Sequence, residues 1–141
     1  MVPSISAFEQ SSRVPASRRV VVERAAAYVR AHSDSRVPLK TLCRVVGMSE
    51  RGLRNAFYGV HGVSPKRWIV AERLRLARRA LLGSSSRSGE TVTSVATNCG
   101  FYELGRFAAT YRVAFGEAPS ETLRRGSFSP SSVETRGEQE R

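Results

Sequence analysis

LKTLCRVVGMSERGLRNAFYGVHGVSP, from Leu39 to Pro65, decides the fold of this chain, because a later stretch repeats its plan. That later stretch is VTSVATNCGFYELGRFAATYRVAFGEAPS, from Val92 to Ser120. Leu39 answers Val92, Leu42 answers Val95, Cys43 answers Ala96, Gly47 answers Gly100 and Met48 answers Phe101. After one extra residue in the second copy, Phe57 answers Tyr111, Gly62 answers Gly116 and Pro65 answers Pro119. Two copies are too few for a solenoid, so they read as two related modules.

Each copy follows one physical plan. In the first, Leu39, Leu42, Cys43 and Val46 fall at the i, i+3, i+4, i+7 spacing of a short amphipathic helix. A glycine follows, Gly47 or Gly100, where a tight turn wants left-handed backbone at little steric cost. Met48 or Phe101 then plugs the angle between two helices. Ser49 is placed to cap the second helix, with Glu50 in its favourable first turn. Short helix, glycine turn and second helix together make the helix-turn-helix pattern.

Between the copies, SPKRWIVAERLRLARRALL (64–82) reads as a linker helix with Ser64 as cap and Pro65 in its first turn. Trp68, Ala71, Leu74, Ala77 and Leu81 mark one apolar face. Lys66, Arg67, Arg73, Arg75, Arg78 and Arg79 are expected to charge the rest. GSSSRSGE, Gly83 to Glu90, reads as a plain flexible connector. Ahead of the first copy, Val20, Val21, Ala25, Tyr28 and Val29 recur at helical spacing. The expected organisation is a flexible lead over 1–17 and a DNA-binding domain over 18–125, followed by a polar disordered tail over 126–141. Within the domain, the first helix-turn-helix spans 40–61, the linker helix 65–82 and the second helix-turn-helix 92–115. The pattern is all-α, since no alternating run is long enough for a sheet.

Charge points to the partner. The 141 residues carry 23 Lys plus Arg against 12 Asp plus Glu, a formal net charge of +11. A surplus of that size on a small chain favours a polyanion, with nucleic acid ahead of an anionic membrane surface. Arginine supplies nearly all of it, which suits bidentate contacts to phosphate and guanine. No apolar run approaches the roughly 20 residues of a membrane span, and the Ser-rich start has no secretory h-region. A cytoplasmic location is the expectation. Cys43, Cys99, His32 and His61 are isolated in sequence, so no metal site and no cofactor are expected. Both cysteines are read as buried, reduced thiols.

LCRVVGMSERGLRNAF, the following GVSPKRWI, RLRLARRALL in the linker and CGFYELGRFAATYRVAFGEAPSETLR at the end resemble the DNA-binding region of the AraC/XylS family of bacterial regulators. The resemblance covers roughly residues 20–125. It implies seven helices in two homeodomain-like subdomains joined by one long helix. It also implies recognition helices in adjacent major-groove segments, usually to activate transcription. Two features depart from the common pattern. Tyr102, Glu103, Leu104, Gly105 and Arg106 replace the usual polar start of the second recognition helix, Tyr102 being a poor N-cap. A ligand-sensing domain, carried by many members, is too large for residues 1–19. The chain is then either a stand-alone reader or a truncated relative of a larger sensor.

Recognition helices read base edges from their N-terminal turns. With Leu53, Ala56 and Phe57 turned inward, Arg51, Arg54, Asn55 and Tyr58 face out. Arginine can grip guanine and asparagine adenine, each bidentately. Arg51, Arg54 and Asn55 also match the positions that the resemblance implies for base contact. In the second module Phe107 and Tyr111 go to the core, and Arg106 is the leading base reader with Glu103 and Leu104 behind it. Lys40, Arg44, Ser49 and Arg112 are the candidate phosphate contacts. The expected partners are a double-stranded DNA operator and, for activation, RNA polymerase; no membrane is expected, and no sensing domain for a small-molecule effector in this chain. The alternative is a sequence-tolerant basic DNA or nucleoid-binding protein. An enzyme is disfavoured, because the sequence offers no paired acidic cluster, no His beside a nucleophile and no phosphate-cradling loop.

Overall fold

The computed structural model describes residues 16–84 and 89–126. These form seven helices, with no strand among them. We number them α1 (Ala16–Ala31), α2 (Leu39–Val46), α3 (Glu50–His61), α4 (Pro65–Gly83), α5 (Val92–Asn98), α6 (Leu104–Phe115) and α7 (Pro119–Gly126). They divide into two compact units, the first ending at Ala71 and the second beginning at Glu72. Most of the expected lead, all of the tail beyond Gly126 and residues 85–88 of the connector lie outside the described residues.

In the first unit, α1 lays Val22, Ala25, Ala26 and Val29 against Leu42 of α2 and Leu53, Ala56 and Phe57 of α3. The buried stripe of α1 is therefore 22, 25, 26 and 29, the i, i+3, i+4, i+7 set. It is rotated from the stripe expected on Val20 and Val21: Val20 is 50% exposed and Val21 only flanks the core. The helix also opens at Ala16, inside the span assigned to the flexible lead. Trp68, from the first turn of α4, closes this core. Its ring meets Phe57 edge-on at 5.7 Å between centroids, a favourable aromatic geometry. His61 stacks on Trp68 at 5.6 Å and lies 5.8 Å from Phe57, so this surface residue has aromatic partners as well as solvent.

In the second unit, Leu74, Ala77 and Leu81 of α4 pack with Val95 and Ala96 of α5, Cys99, and Phe107 and Tyr111 of α6. A column of rings runs through it: Phe101 to Phe107 at 4.8 Å, Phe107 to Tyr111 at 5.7 Å, and Tyr111 to Phe115 at 4.7 Å. Tyr111 brings a hydroxyl into this core, and a buried hydroxyl needs a partner. It donates to Thr122 Oγ1 at 2.7 Å, and Thr122 in turn donates to Glu117 Oε1 at 2.7 Å. Arg125 pairs with the same Glu117 oxygen, completing a relay that ties α7 to α6. Gly126 closes α7 although composition assigned it to the tail. A Cβ there would stand 2.6 Å from the Leu81 carbonyl oxygen, so the close approach of α7 to the end of α4 requires glycine.

The linker helix runs one residue beyond the expected 65–82. Ser64 caps it, accepting the Arg67 N–H at 3.3 Å. Its charged face differs from the expectation at one place. Arg73 is buried at 7% exposure, as is its neighbour Glu72, which accepts from Arg75 Nη1 at 3.2 Å. Arg73 precedes core residue Leu74 and lies near enough to Cys99 for its charge to act on that thiol, so packing carries it inward. Ser84 belongs to structure rather than to a plain connector. It is buried, and its hydroxyl lies between the Ala80 carbonyl at 2.6 Å and the Glu90 carboxylate.

Candidate nucleic-acid interface

The two turns share one hydrogen bond, made by the residue after the glycine. In the first, Gly47 takes φ +69° and the Met48 N–H donates to the Cys43 carbonyl at 3.0 Å. In the second, Gly100 takes φ +86° and the Phe101 N–H donates to the Ala96 carbonyl at 2.9 Å. The repeat read in the sequence is thus repeated in backbone geometry. The copies part at the next residue. Ser49 caps α3, its Oγ accepting the Gly52 N–H at 3.2 Å. Before α6 the cap is Glu103, not Tyr102, and its side chain makes no capping bond. Tyr102 is therefore the extra residue.

The predicted site residues of the first unit fall on its exposed surface. Arg51, Arg54 and Asn55 are all exposed on α3, while Leu53, Ala56 and Phe57 are fully buried behind them. Arg54 Nη2 lies 3.9 Å from Glu50 Oε2 one turn earlier. Both side chains are about half in water, so the pair is worth little and leaves the guanidinium available. Lys40 and Arg44 are exposed one turn apart on α2. The Ser49 hydroxyl accepts as a cap and keeps its own proton to donate. The uncompensated N–H groups at the start of α3 add positive potential beside it.

The second unit presents different chemistry. α3 and α6 are each 12 residues long and each ends at a left-handed glycine, Gly62 or Gly116. Their registers therefore match residue for residue. Gly105, Ala108 and Ala109 stand where α3 has Arg51, Arg54 and Asn55. Arg106 matches Gly52 instead, and pairs with Glu103 at 3.5 Å with both side chains largely in water. Arg112 matches Tyr58 and is exposed near the end of α6. Ahead of them, Thr93 and Thr97 of α5 replace Lys40 and Arg44 of α2. Counting back from the paired glycines 62 and 116 brings this register out of the sequence; counting forward from 47 and 100 misses it by the inserted Tyr102.

Among the described residues no group of three or more His, Cys, Asp or Glu is placed to hold a metal ion, and no helix is long and apolar enough to cross a membrane. Both cysteines are free. Cys99 is buried, but Cys43 is only half-buried, short of the burial expected for it. Loss of hydration pushes both thiols above their ordinary value. At Cys99 the Arg73 charge opposes that rise.

A helix-turn-helix domain family matches residues 42–125. The chain belongs to this family, the AraC-type DNA-binding domains. It is 38% identical over 102 residues to the XylDLEGF operon transcriptional activator of Pseudomonas putida, covering 72% of this chain and 32% of that protein. The chain thus spans about a third of the length of that curated relative. A crystal structure described as "a probable AraC family transcriptional regulator" of Rhodopseudomonas palustris is similar with a TM-score of 0.66 and 37% identity, over 75% of this chain and 96% of that one. The DNA-binding domain of AdpA, solved in complex with a target DNA, shares the fold at a TM-score of 0.64 and 24% identity, over 84% of this chain and 96% of that one.

Proposed function

We propose that this chain binds a double-stranded DNA operator in a sequence-specific manner and regulates transcription, using α3 and α6 as recognition helices in adjacent major-groove segments. The observation that carries the reading is the outward face of α3. Arg51, Arg54 and Asn55 stand exposed on a helix whose inner face is anchored by three fully buried residues. Such a helix offers bidentate donors to guanine and adenine from a rigid support. Arg51, Arg54, Asn55 and Arg106 are the proposed base readers, and Lys40, Arg44, Ser49 and Arg112 the proposed phosphate contacts. Activation in the bacterial cytoplasm through RNA polymerase is the proposed outcome, in keeping with the named activator among its relatives. The chain acts as a reader and not as an enzyme in this proposal, in keeping with relatives that are named as regulators.

Selection of bound duplexes from a random pool, followed by competition, tests the proposal. An operator binder enriches one sequence and holds it against a thousandfold or so excess of unrelated duplex. Release by an equal amount of unrelated duplex would instead identify a sequence-tolerant nucleoid-type binder. Incubation with supercoiled plasmid and magnesium is expected to leave the plasmid intact, and nicking would return the enzyme reading.

A further inference from the structure

The exposed face of α6 lacks hydrogen-bonding groups at the three positions where α3 carries its proposed base readers. Leu104, Gly105, Ala108 and Ala109 are all exposed, Leu104 to 41%. A Cβ placed on Gly105 would meet no atom within 4 Å, so nothing in the fold demands glycine there. Gly105 nonetheless makes a poorer helix residue than alanine. Without long side chains at these positions, a groove wall can approach the backbone of α6 more closely than that of α3.

Such a face has one complement in the major groove. Base edges there display donors and acceptors in every pair, and a methyl group only on thymine. We propose that α6 reads thymine through its 5-methyl group, with Leu104, Ala108 and Ala109 forming the apolar contact and Gly105 allowing the close approach. The inference rests on the reading of the chain as a DNA-binding regulator. Charge selects DNA over a protein partner for this face, because Arg106 and Arg112 flank it and the chain carries a net charge of +11. α3 and α6 then divide the work: hydrogen bonds specify one half of the operator, and methyl contacts beside the proposed Arg106 contact specify the other.

The test uses the full chain and its selected duplex, with each thymidine replaced singly by deoxyuridine, which removes the methyl and keeps the pairing. Each methyl that α6 reads should cost roughly fourfold in Kd, the equivalent of about 0.8 kcal/mol for one buried methyl group. Leu104→Ala and Ala108→Ser should abolish that sensitivity at the same bases. Neither position is buried, so both variants are expected to fold, as circular dichroism would confirm. Insensitivity to every thymidine-to-deoxyuridine change, with a footprint over both halves of the site, would overturn methyl reading and leave operator binding standing. A footprint confined to one half, unchanged by Leu104→Ala, would assign this face to a protein partner and also overturn the inference. Failure to enrich any sequence would overturn the operator reading itself.

Discussion

α3 and α6 have the same length, end at the same kind of glycine and follow turns with the same hydrogen bond, yet the matching faces they show solvent differ sharply in chemistry. α3 presents Arg51, Arg54 and Asn55, backed by Lys40 and Arg44 on α2. α6 presents Gly105, Ala108 and Ala109, backed by Thr93 and Thr97 on α5. The inner faces do not diverge in this way. Leu53 and Phe57 match Phe107 and Tyr111, all fully or almost fully buried. Burial holds the inner positions to apolar bulk, because a void or an unpaired polar group there costs several kcal/mol. Nothing in the fold constrains the outer positions, so they are free to follow the ligand.

The largest way to break this comparison is through the core that the two helices share in kind. Phe107→Ala should destabilise the second unit by about 3–5 kcal/mol, through lost transfer energy and the cavity left between Phe101 and Tyr111. Amide exchange should accelerate at Val95, Phe107 and Tyr111 and change far less at Val29, Leu42 and Leu53. Equal acceleration in both sets would show that the two units do not unfold separately.

Arg54→Ala addresses the outer face. It should cost about 1–3 kcal/mol on the selected duplex and relax preference at one base pair. Binding assays on selected and random duplex separate the roles, since equal weakening on both would make Arg54 a phosphate anchor.

The caps give a smaller and more symmetrical test. Ser49→Ala removes the bond to the Gly52 N–H and should cost about 1 kcal/mol in denaturant unfolding. Glu103→Ser supplies α6 with the cap it lacks and should return up to about 1 kcal/mol. The Glu103–Arg106 pair lost in the exchange is exposed and offsets little of that gain. Destabilisation by Glu103→Ser would show that the carboxylate at the helix start already serves the first turn.

Lys40→Ala should have the smallest effect. Losing one phosphate contact lowers the slope of log affinity against log salt by roughly one and leaves base preference unchanged. Thr93→Ala, at the matching place in the second unit, should leave the slope unaltered. A change of slope at Thr93 and none at Lys40 would reverse the assignment of the two leading helices.

Only the resemblance to the AraC/XylS family implied the seventh helix, α7; the sequence by itself determined six of the helices, both turns, the cap at Ser49 and the inward set of α3. All of these depend on interactions within a few residues: apolar spacing of three and four, a glycine where φ is positive, and a serine before a helix. Tertiary structure decided what depends on partners distant in the chain. The stripe of α1 was legible only to within a rotation, because Val20, Val21 and Val22 are chemically alike and the packing against α2 and α3 selects Val22. Arg73 reads as a surface charge until its place beside the second core is seen. The Tyr111–Thr122–Glu117 relay joins residues up to 11 apart in sequence, and no local pattern announces it. Gly126 looks like the start of a polar tail, yet the Leu81 and Leu82 carbonyls leave no room for a Cβ. The register of α6 lies between these cases. It was written in the spacing of Gly62 and Gly116, but locating the inserted residue at Tyr102 required the helix start, which is fixed by where the Phe101 turn bond closes and the next backbone turn begins.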